Sequence, residues 1–258
     1  WYRMEANETG IYKIDQAFLT KAGISSSAVG NINSIRIYGN GGRELPQDLN
    51  ASRPNGLEEI PRLVVDKNAN GVLDSDDYVL FYAQSTRGWS YSPSEKTFHH
   101  YINHYTETCV YFLTYGGAGR GKNMDALTST SLAGAYKPTD FQGKLLVEHE
   151  LFNLVNSGRQ WIGESFNIAS NFNVFMNNLP ALVADKPMLY RFAFFSSSVA
   201  IDSFVIQENG KTFGSIPMYP IDVGSITDVK AYQAPVTEFS RVGALPNDRS
   251  VLRLQYVT

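Results

Sequence analysis

The sequence predicts a mostly β protein with two β-rich domains, the second a jelly-roll-like β-sandwich, and one short helix near the N-terminus. Aromatic residues make up 13% of the 258 residues, with 15 Tyr and 15 Phe, and such side chains are enriched in strands. The 21 Gly and 11 Pro are typical of short strands joined by turns. A hydrophobic fraction of 43% against 18% charged residues indicates a folded globule, since disordered chains are less apolar and more charged.

The first domain, predicted over residues 1–115, begins with a strand at 10–14 and then the short helix at 16–22. Asp15 precedes that helix with a carboxylate that can accept the free amides of a first helical turn. Gly23 suits the left-handed conformation that ends a helix. Further strands of this domain are predicted at 35–38, 63–65, 78–83 and 109–115.

A change of composition predicts a linker at residues 116–137, which are rich in Gly and then in Ser, Thr and Ala. The β-sandwich is predicted over 138–258. Asn209 and Gly210 lie between two strand-like runs and form a strong hairpin signal. Strands are predicted at 145–151, 166–175, 188–195, 204–207, 211–216, 226–231 and 251–256. Strands at this spacing are typical of a sandwich.

Charge and cysteine content narrow the classes of partner and fold. A net charge of −3 offers no diffuse positive field for a phosphate backbone, so we expect no nucleic-acid partner. One Cys permits no intrachain disulfide, and no run of 18 apolar residues could span a bilayer. The chain opens at Trp1 and stops at Thr258. We expect it to be a piece of a longer exported protein, without its signal peptide and C-terminal domain.

The sharpest local pattern is the run DKNANGVLDSDD at residues 66–77. It places side-chain oxygens where an EF-hand-type loop binds calcium, and Gly71 where such a loop turns sharply. The candidate calcium ligands are the side chains of Asp66, Asn68, Asn70, Asp74 and Asp77 and the carbonyl of Val72. The last ligand position holds Asp instead of the longer Glu, and the flanks are predicted strands. A solvated hairpin tip rich in Asn and Asp is therefore an equally open interpretation.

Histidines and the single cysteine invite two further hypotheses. His100 and His104 would share a face of a helix, but zinc needs about four ligands, and Cys109 is the nearest clear partner. We expect structural roles for His99, His100 and His104. Cys109 lies in a regular apolar run, where a cysteine is ordinarily a small buried hydrophobe and not a nucleophile.

The last candidate site is one for binding carbohydrate. It consists of Arg159, Trp161 and Glu164. An aromatic face packs on sugar C–H groups while charged side chains bond the hydroxyls. The alternative is that Trp161 closes one end of the sandwich beside an Arg–Glu pair.

Five segments resemble, in the same order, the region that precedes the catalytic domain in PorU-type proteins. These are gingipain-like cysteine peptidases of the type IX secretion system in Bacteroidetes. The segments are residues 10–14, 35–42, 77–83, 100–105 and 157–164.

The resemblance implies an exported protein of the cell surface or outer membrane. Its family acts as a sortase that removes the C-terminal sorting domain of cargo and couples the cargo to anionic lipopolysaccharide. The working His and Cys of that family lie in a caspase-like domain that would follow residue 258, so no catalytic residue is expected in this chain. The implied partners are its own C-terminal catalytic domain and secretion-system outer-membrane proteins or cargo.

A second function remains open, a carbohydrate-binding β-sandwich module of a cell-surface polysaccharide-processing protein. The aromatic content and Trp161 support it. A structure can separate the two, because a sugar site needs Trp161 exposed in a groove, whereas a scaffold buries it.

Overall fold

The computed structural model describes residues 1–128, 134, 137–153, 161–224 and 231–258. Most regular elements are antiparallel strands, which confirms the prediction of a mostly β fold. The chain divides into two compact units, Trp1–Ala135 and Tyr136–Thr258. No helix in the described part of the chain has the length and apolar character that crossing a membrane requires.

The first unit contains two larger sheets and a hairpin. Its strands are β1 (Tyr2–Ala6), β2 (Gly10–Asp15), β3 (Arg36–Tyr38), β4 (Glu59–Ile60), β5 (Arg62–Val65), β6 (Tyr78–Ala83), β7 (Arg87–Ser92), β8 (Thr97–Ile102) and β9 (Cys109–Thr114). One sheet has the order β1-β9-β3-β4 and the other β2-β6-β5, while β7 pairs with β8. All of these pairs are antiparallel.

The predicted helix is present as α1 (Gln16–Lys21). The Asp15 carboxylate accepts a hydrogen bond from the Phe18 amide at 2.9 Å, as expected for the residue that caps a helix. Gly23 has a φ of 74°, which is the left-handed conformation predicted for the end of this helix. Leu19 is the residue of α1 that enters the core.

A second short helix, α2 (Ser26–Val29), was not predicted. The Ser25 hydroxyl caps it by accepting from the Ala28 amide at 3.2 Å. A single turn is too short to show an apolar period, so only its serine-rich start signals it in the sequence.

Both larger sheets of the first unit contribute to one apolar core. Alternation along β9 turns Cys109, Tyr111 and Leu113 inward, and β6 contributes Val79 and Phe81. Because side chains alternate between the two faces of a strand, the regular apolar spacing in these two strands was enough to predict them.

The second unit contains a jelly-roll-like arrangement of strands. They are β10 (Phe172–Asn178), β11 (Met188–Phe192), β12 (Phe195–Ser196), β13 (Asp202–Glu208), β14 (Lys211–Met218), β15 (Tyr232–Gln233), β16 (Thr237–Arg241) and β17 (Arg249–Val257). The pairs β10·β17, β11·β16, β12·β15 and β13·β14 are nested within one another, and β17 also pairs with β13. This nesting of antiparallel pairs is the pattern of a jelly roll.

Turn chemistry and aromatic packing define this second unit. Asn209 and Gly210 have φ of 49° and 78°, which confirms the predicted hairpin between β13 and β14. Its core is rich in phenylalanine, and the rings of Phe194 and Phe204 stack with centroids 4.1 Å apart.

Some predicted boundaries of the second unit differ from the structure. Residues 145–151 form no strand, so that prediction is wrong. The predicted strand at 166–175 begins at Phe172 instead. The predicted strand at 226–231 lies almost entirely outside the described residues.

The start of the predicted linker is bonded to the first unit. The Gly116 amide donates to the Ser34 hydroxyl at 3.0 Å, and the Met124 amide donates to the Arg62 carbonyl at 2.9 Å. The domain limits predicted from composition, with a linker at 116–137, stay a prediction.

Candidate functional site

The loop from Asp66 to Asp77 joins β5 to β6. Val65 and Tyr78 are paired in the antiparallel ladder, so the two ends of the loop lie side by side. Leu73, in the middle of the loop, is buried in the core of the first unit. One apolar side chain therefore anchors a loop whose other residues are mostly polar.

Three of the predicted calcium ligands converge within this loop. The side-chain amides of Asn68 and Asn70 both donate to Oδ2 of Asp74, at 2.9 and 2.8 Å. These bonds, first that from Asn68 and then that from Asn70, lower the pKa of Asp74. The side chains at loop positions 3, 5 and 9 thus meet at one point, through the two asparagine nitrogens and one oxygen of Asp74.

Asp66 is oriented by the glycine of the loop. The Gly71 amide donates to Oδ2 of Asp66 at 2.8 Å, and Gly71 has a φ of 77°, which glycine adopts without steric cost. The other oxygen of Asp66, Oδ1, is buried and has no hydrogen-bond partner among the described residues. A buried carboxylate oxygen without a partner is costly.

Asp77 closes the base of the loop. It is only 1% exposed, and its two oxygens accept from the amides of Lys67 and Asp74, each at 2.9 Å. The predicted ligand atom of Val72 was its carbonyl oxygen. The bond that the structure shows for Val72 is made by its amide, which donates to Oδ1 of Asn70 at 2.7 Å. Asp77 and Asn70 therefore have structural roles in the loop that do not depend on a cation.

The donors in this loop are oxygen atoms of Asp and Asn, the kind that calcium prefers. The described residues contain no group of three or more His, Cys, Asp or Glu side chains arranged to hold a metal ion, and here two of the converging side chains are asparagines. Turning each asparagine amide by half a rotation would point its oxygen at the place where its nitrogen now lies, but it would break the bonds that these oxygens accept from the amides of Asn70 and Val72. The fit to calcium therefore rests on carboxylates together with amide oxygens.

His99 and His100 lie in β8 and His104 lies in the turn after it, so the hypothesis that His100 and His104 share a helix face is wrong. His100 is in β8, and its ring lies edge-on to Trp89 with centroids 5.3 Å apart. Burial, and then the charge of Arg87, lower the pKa of His100. His104 bonds through Nδ1 to Glu44 at 2.5 Å.

Cys109 lies in the core of the first unit, at the start of β9. Burial is the main cause that raises the pKa of its thiol. A reactive cysteine needs a stabilised thiolate and access for its substrate, and this environment provides neither.

The predicted carbohydrate site is only partly described. Trp161 is 42% exposed, and Glu164 is bonded to Nδ1 of His149 at 2.5 Å. Arg159 lies outside the described residues. The neighbouring residue Ile162 forms an antiparallel bridge with Phe152.

Arg62 and Glu208 are two of the buried charged side chains that were not singled out in the sequence. Arg62 donates from Nε to the carbonyl of Ile35 at 2.6 Å, from Nη2 to the carbonyl of Asn33 at 2.6 Å, and from Nη1 to Oδ1 of Asn123 at 2.7 Å. A lone arginine in an apolar run is a weak sequence signal, since its long stem commonly lies along apolar surface with the charge in water.

Glu208, at the end of β13, is the second. Tyr190 and Ser250 both donate to its Oε1 at 2.6 Å, and Arg241 donates to its Oε2. These partners come from three other parts of the second unit, so no local pattern could indicate the cluster.

Comparison with known proteins shows a likeness at the level of fold. Neither a protein-family model nor a curated protein matches the sequence. A crystal structure of dimeric latent PorU from Porphyromonas gingivalis matches 100% of this chain with a TM-score of 0.69 and 20% sequence identity. The match covers 23% of the PorU chain, so this chain spans about a quarter of its length. In fold, the chain is therefore similar to that part of PorU.

Proposed function

We propose that this chain is the non-catalytic N-terminal scaffold and interaction region of a PorU-like, gingipain-like cysteine peptidase. In the full-length protein, the peptidase processes the C-terminal sorting domains of type IX secretion cargo at the cell surface. The observation that carries this proposal is the fold match over the whole of this chain to about a quarter of PorU. Its own catalytic domain and secretion-system proteins or cargo are the proposed partners.

The environment of Cys109 supports placing the catalysis elsewhere. Peptide cleavage by a cysteine needs a thiolate beside an imidazole and donors aimed at the developing oxyanion. Cys109 instead packs in an apolar core, which raises the pKa of its thiol. The described histidines of the first unit interact with Glu95, Trp89 and Glu44.

Peptide turnover by the purified chain tests this proposal. Sorting-domain peptides should remain intact with the chain alone and with its Cys109→Ala variant. Thiol-dependent cleavage that disappears in Cys109→Ala would overturn the assignment. The reading frame beyond Thr258 provides a second test, because the proposal requires a caspase-like domain with a His–Cys dyad there.

We also propose that the loop from Asp66 to Asp77 binds one calcium ion. The convergence of Asn68 and Asn70 on Asp74, and the buried unpartnered oxygen of Asp66, support it. The Asp66, Asp74 and Asp77 carboxylates, the two asparagine amides and the Val72 carbonyl would hold the ion, which would supply structural stability and no chemistry.

Thermal unfolding with and without calcium tests the loop. Binding to the folded state alone stabilises it by RT ln(1 + [L]/Kd) and so raises the melting temperature, and Asp66→Asn should abolish that rise. Asp76→Asn is the matched control, because Asp76 is exposed and lies outside the ligand pattern, so its rise should persist. A melting temperature that calcium leaves unchanged in the unmodified chain would refute the proposal.

A further inference from the structure

Asparagine followed by glycine occurs four times in this chain, at residues 40–41, 55–56, 70–71 and 209–210. Asparagine is chemically labile, because the backbone nitrogen of the next residue can attack the carbonyl carbon of its side chain. A following glycine has no Cβ to hinder that approach. All four sites share this local chemistry, so their order of reactivity depends on the fold.

Three of the four asparagine side chains are held by hydrogen bonds at both ends of the amide. In each of them the nitrogen donates and the oxygen accepts, over 2.7–3.1 Å: Asn40 to the Gly56 carbonyl and from the Glu58 amide, Asn70 to Asp74 and from the Val72 amide, and Asn209 to the Arg249 carbonyl and from the Val251 amide. An amide held in this way cannot turn its carbon toward the next backbone nitrogen until the bonds break. The fold therefore protects these three side chains.

Asn55 is the exception. Its side chain is exposed, and neither that side chain nor the Gly56 amide has a hydrogen-bond partner among the described residues. A Cβ placed on Gly56 would meet no atom within 4 Å, so its surroundings do not restrict the backbone there. Asn40 and Asn70 are exposed as well. Hydrogen bonding, and not exposure, therefore separates Asn55 from these two.

We propose that Asn55 is a site of spontaneous deamidation and that the fold protects the other three asparagines from the same reaction. The backbone nitrogen of Gly56 forms a bond to Cγ of Asn55 and gives up its proton. The bond from Cγ to the side-chain nitrogen breaks, and ammonia leaves. Water then opens the succinimide ring, so that attack at Cγ gives aspartate and attack at the backbone carbonyl gives isoaspartate.

The modification changes both the charge and the backbone of the connection between β3 and β4. Either product adds one negative charge, close in sequence to Glu58 and Glu59, to a chain whose net charge is −3. Isoaspartate also inserts a methylene group into the backbone next to Gly56, whose carbonyl accepts the bond from Asn40. Isoaspartate at residue 55 should therefore loosen the bond that ties this connection to the end of β3.

Peptide mapping by mass spectrometry tests the proposal on the folded chain during incubation at mildly alkaline pH. Two hydrogen bonds of ordinary net strength make a held asparagine free about tenfold less often than an unbonded one. Deamidation at Asn55 should therefore be at least about tenfold faster than at Asn40, Asn70 or Asn209. Equal rates at the four sites, or a faster reaction at a held site, would overturn the proposal.

Two controls separate the effect of the fold from that of the sequence. In urea the held asparagines lose their bonds, so the four rates should converge, and a preference for Asn55 that persists in urea would refute protection by the fold. Asn50 is exposed in the same connection but is followed by Ala51, so it should react more slowly than Asn55 in the folded chain. Equal rates at Asn50 and Asn55 would show that exposure alone sets the rate.

Variants make the test specific. Asn55→Gln keeps an amide but would have to close a larger ring, so isoaspartate, measured by enzymatic methylation of its carboxylate, should fall to the level of the protected sites. The melting temperature should stay unchanged, and an undiminished isoaspartate signal in this variant would overturn the assignment. Asp74→Ala removes one of the two bonds that hold Asn70 and should raise the rate there about threefold or more. An unchanged rate at Asn70 would refute the protective role of the hydrogen bonds.

Discussion

Arg62 in the first unit and Glu208 in the second unit are both charged and buried, yet they are stabilised in different ways. Arg62 is 0% exposed and donates to three neutral oxygens, with no carboxylate within 4.0 Å among the described residues. Glu208 is 3% exposed and accepts from two hydroxyls and from Arg241.

The difference follows from what each group can do when it is buried. Burial is the main cause that lowers the pKa of Arg62, but a guanidinium does not lose its proton in proteins, so carbonyl dipoles must meet its charge. For Glu208, burial acts to raise the pKa, and the bonds from Ser250, Tyr190 and Arg241 outweigh it and lower the pKa overall. Arg62 is therefore held mainly by backbone carbonyls, and Glu208 by side-chain partners.

Replacing Arg62 should have the largest effect. Arg62→Ala leaves the carbonyl of Ile35 without its donor, removes one of the two donors to the carbonyl of Asn33 and opens a cavity, so the free energy of unfolding should fall by about 3–5 kcal/mol. Urea unfolding at pH 7 measures it. Arg53→Ala is the matched control, because Arg53 also donates to three carbonyls, but in an exposed loop. An equal loss in the two variants would show that burial is not the cause.

Neutralising Glu208 should have an intermediate effect. Glu208→Gln keeps the shape but replaces charged acceptors with one oxygen and two donors, so unfolding free energy should fall by about 1–3 kcal/mol at pH 7. Glu238→Gln removes a half-exposed partner of Arg191 and should cost less than about 1 kcal/mol. If Glu238→Gln lowers the free energy of unfolding as much as Glu208→Gln does, the comparison between the buried charges of Arg62 and Glu208 fails.

The effect of Glu208 should depend on pH with a definite sign. Its folded-state pKa is lowered, so its contribution is fully present above the unfolded pKa of about 4.3 and is lost as pH falls through the folded pKa. The difference in unfolding free energy between the unmodified chain and Glu208→Gln should therefore be constant above about pH 5 and shrink below about pH 4. A difference that stays constant down to about pH 3 would contradict this assignment.

A neutral buried group should give the smallest effect. The Tyr111 hydroxyl accepts from the Gln84 amide at 2.8 Å and donates to its carbonyl at 3.3 Å, and burial raises the pKa of Tyr111. Tyr111→Phe should lower the free energy of unfolding by about 0.5–1.5 kcal/mol. Tyr12→Phe, whose hydroxyl bonds exposed Glu8, should be close to neutral, and a larger loss there than at Tyr111 would reverse the order expected from burial.

Local chemistry explains the predictions that succeeded. The helix α1 was predicted because Asp15 and Gly23 satisfy its two ends within a few residues. The β13·β14 hairpin was predicted because Asn209 and Gly210 adopt positive φ readily. The strand predicted at 145–151 was wrong for the opposite reason, because a strand exists only where a neighbouring strand accepts its hydrogen bonds.

The glycines of the segment at residues 39–42 show the limit of sequence analysis. A Cβ on Gly39 would lie 2.5 Å from the ring of Tyr111, and one on Gly42 would lie 2.3 Å from the backbone of Ser85. The close approach of distant parts of the chain, which leaves no room for a side chain, became visible only in the structure.

The sequence by itself determined the β class, the capped helix, the tight hairpin and the spacing of oxygen donors in the loop from Asp66 to Asp77. Each depends on residues close together in the chain, whose conformational preferences and alternation act locally. Only the tertiary structure decided the nested pairing of the second unit, the burial of Arg62 and Glu208, and the convergence of two asparagines on Asp74. These depend on residues far apart in the chain or on the path of a folded loop, and local preferences carry no information about which distant groups will meet.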